Sequence, residues 1–268
     1  MIIKCSNSDE KYIEKYINND YYKCLYLYLD FEKYKCTNPN VITWIQKEND
    51  NITAIILLYY TGMHVFSQKH DYNILEIIDL IKEYKPTMIC GEKVTICDIF
   101  KNLENDKYQI ETGWVRGLSD IKNVNDDCIQ KANEDDFAQI AKLLYNDEDL
   151  GCSYKLDELR KQMIERNKEG YVRNYIIKDV NTNKVISHAG TGAENSKVAM
   201  LSYVITDPDY RGNGYAKRLC GKVCEDLIKE GKEVFLINYS TESTALYDKI
   251  GFTERCEWGK IFLNLKDN

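Results

Sequence analysis

The sequence predicts an α/β (α+β) chain of two domains, a mixed sheet flanked by helices preceded by a smaller α/β domain. Three observations carry that expectation. The chain has 268 residues, 44% of them hydrophobic, with 3 Pro and 14 Gly. That is enough apolar material for two cores of about 100–150 residues each. Apolar runs of strand length alternate with amphipathic stretches of helical period, the pattern of a sheet covered by helices. The most polar interruption, residues 118–127 (Leu-Ser-Asp-Ile-Lys-Asn-Val-Asn-Asp-Asp), separates the two patterned halves. It divides the chain into domains at 1–118 and 126–268.

In the first half, residues 9–18 read as a helix, and 22–29, rich in Tyr and Leu, as a strand. Strands at 41–47 and 52–60 flank the turn-prone Asn49, Asp50 and Asn51. A short strand follows at 64–67. Ile74, Leu75, Ile78 and Ile81 share one face of a helix over 72–84, which Pro86 stops. A strand at 87–90, a helix at 94–103 and a strand at 108–115 complete this half. The second half opens with a strand at 128–131 and helices at 135–145 and 156–168. Strands follow at 171–178, 184–190 and 198–206. A turn over 207–214 leads into a helix at 215–230, where Ala216, Leu219, Cys220, Val223, Cys224, Leu227 and Ile228 form an apolar stripe. Gly231 is placed to end it. A strand at 234–239, a short helix at 243–250 and a strand at 257–263 close the chain.

Composition narrows the function classes. The formal net charge is -7, the wrong sign for a general nucleic-acid or anionic-membrane binder. The longest apolar run, around residues 55–60, is far short of the roughly 20 residues that span a bilayer. Lys4 follows Met1, Ile2 and Ile3 at once, so no apolar signal core begins the sequence. The 10 cysteines contain no C-x-x-C pair, and His64, His70 and His188 do not complete a zinc spacing. The expectation is a reduced, cytoplasmic protein without a metal. The 21 tyrosines accompany much Lys, Asn and Ile and read as composition.

One stretch carries chemistry: Asp207-Pro-Asp-Tyr-Arg211-Gly212-Asn213-Gly214-Tyr215-Ala216, between an apolar strand and an amphipathic helix. Glycines there allow a tight turn and a close backbone approach to an anion. The helix that follows aims its dipole and free amides at the same place. Lys217, Arg218 and Lys222 add positive charge just inside it. A Walker loop is absent, and a Rossmann fingerprint would need a third glycine where Lys217 stands. The stretch therefore reads as a phosphate or pyrophosphate cradle.

Arg211-Gly-Asn-Gly214-Tyr-Ala216 resembles the Q/R-x-x-G-x-G/A signature of the GNAT superfamily of acyl-CoA-dependent N-acetyltransferases. Its setting agrees: an apolar strand and a Pro-Asp-Tyr turn precede it, and a helix follows. Thr244-Ala-Leu-Tyr247-Asp-Lys-Ile-Gly251-Phe252 is similar to the family's closing region. The resemblance covers roughly the second half. It implies acetyl-CoA as co-substrate, with the backbone of Val204, Ile205 and Thr206 pairing with the pantetheine arm. An amide near Val204 or Ile205 would act as oxyanion donor. The amides of Gly212, Asn213, Gly214, Tyr215, Ala216 and Lys217 would hold the pyrophosphate. Tyr247 stands where the family's general acid usually stands.

Two departures accompany it. Where members often carry an Asn seven residues before the acid tyrosine, this chain has Ser240, with Asn238 as substitute. The strand before the loop holds no acidic residue. An amine that must lose a proton then needs another base, and Glu194 and His188 are the candidates, with Tyr203 as anchor for a relay water. The expected activity is direct acetyl or short-acyl transfer to the primary amine of a small molecule or peptide; a homodimer is left open. The rival expectation is a non-catalytic acyl-CoA sensor. Residues 1–118 carry no signature, but their order of elements resembles a GNAT core that has lost its phosphate loop. On that resemblance the first domain shapes the acceptor pocket and binds no CoA.

Overall fold

The computed structural model describes residues 1–103, 108–121, 127–147 and 155–263. Cys152 and residues 122–126 of the polar interruption lie outside them. The chain divides into two compact units. The first holds Met1–Arg116, Ile237–Ser240 and the stretch from Glu254 onward; the second holds Gly117–Leu236 and Thr241–Thr253.

The first unit begins with strand β1 (Ile2–Lys4), which the sequence does not announce, and helix α1 (Glu10–Ile17). Helix α2 (Leu25–Tyr34) replaces the strand expected at 22–29. The reason is visible in its packing. Leu27 and Phe31 face one core cluster, while Leu25 and Leu29, also fully buried, form a second i, i+4 pair. Two interleaved helical stripes produce an alternation that mimics a strand. Strands β2 (Val41–Glu48), β3 (Asn51–Tyr59) and β4 (Gly62–Phe66) follow, then α3 (Ile74–Tyr84), β5 (Met88–Glu92), α4 (Lys93–Asn102) and β6 (Gln109–Leu118). Asn49 and Asp50 both take positive φ, 48° and 63°, the geometry of a tight two-residue hairpin.

The second unit contains β7 (Gln130–Lys131), α5 (Phe137–Tyr145), α6 (Leu156–Lys168), β8 (Asn174–Lys178), β9 (Val185–Glu194) and β10 (Val198–Thr206). Helix α7 (Tyr215–Lys229), strand β11 (Glu233–Asn238) and helix α8 (Thr241–Ile250) complete it. Strand β12 (Thr253–Phe262) joins the first unit, where it pairs antiparallel with β5 from Trp258↔Glu92 to Phe262↔Met88. Its Ile261 is buried in that unit's core.

The two units repeat one topology. In the first, β1, β2, β3 and β4 are antiparallel neighbours and β5 lies parallel to β4. In the second, β7, β8, β9 and β10 are antiparallel neighbours and β11 lies parallel to β10. Among the described residues, each has two α-helices between its first and second strands and one between the parallel pair. In the second unit the predicted stripe of α7 packs on the sheet: Leu219, Cys220, Val223, Cys224 and Leu227 are fully buried against Leu201, Val234 and Leu236. Helices α5 and α6 cover the other face through Phe137, Ile140, Leu159 and Met163. Among the described residues, no helix is long and apolar enough to cross a membrane.

Candidate functional site

The β10–β11 ladder is short. It pairs Val198, Ala199 and Met200 with Glu233, Val234 and Phe235, and no later residue of β10 has a partner on β11. On its other edge β10 follows β9 to Ser202↔Gly190, shifts register, and resumes at Ile205↔His188. Tyr203 and Val204 thus have no ladder partner on either side among the described residues. Such a bulge bends the strand. Tyr203 takes φ 56°, a left-handed conformation that costs an aromatic residue energy and persists only where its surroundings impose it. The neighbours that impose it are on β9. His188 Nδ1 lies 2.7 Å from the Tyr203 carbonyl oxygen, and the Ser187 hydroxyl donates to the Ile205 carbonyl at 2.9 Å.

The loop after β10 is stitched by its own side chains. Asp207 accepts from the amide of Asp209 at 3.1 Å and pairs with Lys184 at 2.7 Å. The Lys184 ammonium holds the Asp207 carboxyl below the usual carboxylate range. Asn213 Nδ2 donates to the carbonyls of Tyr210 and Arg211. Gly212 and Gly214 take φ 82° and 76°, and a Cβ at either would meet nothing within 4 Å. Helix α7 starts at once, with Gly214 as its N-cap and no side chain capping its first amides. A helix of 15 residues thus presents uncapped N–H groups and the positive end of its dipole at an open glycine turn. That arrangement fits an anion such as a pyrophosphate.

The cations expected beside this turn divide. Lys217 is exposed, and Arg218 lies over the Tyr215 ring at 5.5 Å. Lys222 is committed to Asp226 at 2.8 Å and Glu225 at 3.2 Å. Arg211 turns back, donating from Nε to the Thr206 carbonyl and pairing with Asp147 at 3.4 Å.

Tyr247 is half-buried on α8 and packs on the rim of the same core cluster as Val204 and Tyr215. Its ring meets Phe252 edge-on at 5.9 Å. Burial, together with the neighbouring Cys220 and Cys224 thiols, pushes the phenol above its ordinary value. The phenol therefore keeps its proton across the physiological range.

The structure brings neither candidate base to the bulge as a free group. Glu194 sits opposite Ala199, four residues before the bulge at Tyr203. Arg173 holds it through Nε at 2.9 Å and Nη2 at 2.7 Å, and Lys232 adds a further bond. His188 is fully buried, with Nδ1 on Tyr203 and Nε2 3.0 Å from Asn174 Oδ1. Asn238 and Ser240 group with the first unit. Asn174, Ser187 and the left-handed Tyr203 were not legible in the sequence, since nothing in the local residue pattern signals their pairing.

The Glu194 cluster makes a stability prediction. Arg173 also binds Glu230 through both terminal nitrogens at 2.8 Å, and chiefly this bond holds the Glu230 carboxyl down to about 2. Its folded value lies below its unfolded one, so its contribution is present above about pH 4.5 and lost as pH falls toward 2. Melting curves over that window should show wild type losing more thermal stability than Glu230→Gln. Parallel losses would contradict the assignment.

The first unit closes the corresponding places. Its β4–β5 ladder holds from Gly62↔Met88 to Val65↔Gly91, nearly the whole of β4. The N-terminus of α3 is capped by Asn73, whose side chain accepts from the Leu75 amide. Gln46 Oε1 in turn accepts from the Asn73 amide at 2.8 Å.

Comparison with known proteins places this geometry. The model of the acetyltransferase (GNAT) family matches residues 135–252. No curated protein matches the sequence. Among solved structures, a protein from Drosophila melanogaster is similar over 98% of both chains, at 13% identity and TM-score 0.72. A tandem GNAT protein from the clavulanic acid biosynthesis pathway is similar over 97% of both, at 10% identity and TM-score 0.62. A GNAT-family acetyltransferase from Colwellia psychrerythraea is similar over 98% of this chain and 100% of its own, at 10% identity and TM-score 0.58. At these identities the likeness is one of fold, and it extends over both units.

Proposed function

Proceeding from a chain that carries a GNAT acetyltransferase domain over residues 135–252, and with it the acyltransferase character of that family, we propose direct transfer of an acetyl or other short acyl group from acetyl-CoA to the primary amine of a small-molecule or peptide acceptor. One observation carries this reading: β10 bulges at Tyr203 and Val204, beyond its last β11 partner, and the chain then runs through the glycine turn into the uncapped N-terminus of α7. Acetyl-CoA supplies the activated acyl group as a thioester. The amides of Gly212, Asn213, Gly214, Tyr215, Ala216 and Lys217 hold its pyrophosphate, and the edge of Val204, Ile205 and Thr206 that has no ladder partner on β11 takes the pantetheine arm as an added strand. An amide at Val204 or Ile205 stabilises the developing oxyanion. Tyr247 gives its proton to the departing sulfur, and the proton that the attacking nitrogen releases restores the phenol through solvent.

Direct transfer requires both substrates bound at once. Initial rates varied against acetyl-CoA and amine should give intersecting reciprocal plots; parallel plots would mean an acylated enzyme and overturn the direct route. The engagement of Glu194 and His188 favours a second reading, an acyl-CoA sensor without turnover. Tight acetyl-CoA binding with no release of CoA on any amine would establish it.

A further inference from the structure

The bulge is held by a file of buried polar groups that the proposed chemistry leaves unused. Asn167, in the last turn of α6, faces Asn174 of β8 at 3.3 Å. Asn174 faces His188 Nε2 at 3.0 Å, and His188 Nδ1 faces the Tyr203 carbonyl oxygen at 2.7 Å. His188 is fully buried and Asn174 is 5% exposed. A carbonyl accepts only, so Nδ1 carries the proton and donates. Burial pushes the ring down to about 4, so it is neutral and offers a lone pair at Nε2. The Asn174 carboxamide meets that lone pair with its amide edge, and Asn167 turns likewise, a half-turn that exchanges oxygen and nitrogen in place. Every member then has a partner, and the donors all run from α6 toward the bulge.

Resting on the acyl-transfer reading above, we propose that His188, oriented by Asn174, is a positioning residue: it fixes the Tyr203 carbonyl, holds that residue left-handed, and so sets the backbone of Val204 and Ile205 where the acyl thioester is received. His188 touches no reacting atom in this role. Its Nδ1–H is the donor that offsets the left-handed aromatic residue, and the β9–β10 register on both sides of the bulge fixes the distance.

Acetyl-CoA affinity by calorimetry and steady-state rates with a primary amine, on the full chain, separate this role from that of a base. His188→Leu removes the donor that supports the left-handed residue. The Kd for acetyl-CoA should rise about tenfold. His188→Asn keeps an N–H near the place of Nδ1 but cannot act as a base; it should recover most of the affinity and rate. Tyr203→Gly, free to adopt positive φ, should make the His188→Leu change nearly silent when the two are combined. Equal loss of kcat in His188→Asn and His188→Leu, with Kd unmoved in both, would overturn the proposal in favour of a base. A wild type that binds acetyl-CoA without turning over any amine would remove the enzyme reading, and the affinities alone would then decide the positioning role.

Discussion

Tyr247→Phe should lower kcat about 100-fold, the lower part of the range for a positioned proton donor, with little change in acetyl-CoA affinity. The substitution removes one oxygen and keeps the ring that packs against Phe252 and the α7 core, so folding is preserved. Among the described residues that hydroxyl has no hydrogen-bond partner, and burial with the Cys220 and Cys224 thiols raises its pKa. The phenol is therefore protonated at every pH below its ordinary value near 10. As a donor it gives wild type no loss of kcat on the alkaline side until pH passes that value. Stopped assays of CoA release for both proteins test the rate, and acetyl-CoA titration tests the retained affinity. Equal kcat would remove Tyr247 from the proton transfer while leaving the cradle intact.

The second large effect belongs to the glycine turn. Gly212→Val with Gly214→Val should weaken acetyl-CoA binding about 100-fold. Steric room is not the cause, because a Cβ at either position meets nothing within 4 Å. The cost is conformational. At φ 82° and 76° a side chain loses about 1–2 kcal/mol per residue, and each such loss is about tenfold in a dissociation constant. The ligand-free loop is exposed and can relax, so the melting temperature should change little. That difference separates a binding defect from a folding defect. Unchanged affinity in the double variant would show that the amides of this turn do not hold the anion.

How much of this was legible in the sequence follows from the period of each signal. The glycine turn, the amphipathic α7 and the strands from β8 to β10 are local patterns, and the structure has them where periodicity and turn chemistry put them. Helix α2 reads as a strand in the sequence because its two buried stripes, Leu25 with Leu29 and Leu27 with Phe31, interleave into an alternation. The place of β12 was not readable, since a strand's neighbours depend on contacts such as Trp258↔Glu92 between residues 166 positions apart. The bulge is the clearest case. Tyr203 has no residue type that announces positive φ, and its cause is a histidine 15 positions away.

The central claim holds for any primary-amine acceptor. That claim is that the second unit uses its bulge and the uncapped end of α7 to deliver an acyl group to nitrogen. Free-thiol release from acetyl-CoA, measured on wild type with and without a panel of primary amines, tests it most directly. The predicted result is release that depends on the amine and yields a product stable to mild base, as an amide is. Tight binding of acetyl-CoA with the same negligible release in the presence and absence of every amine would contradict it.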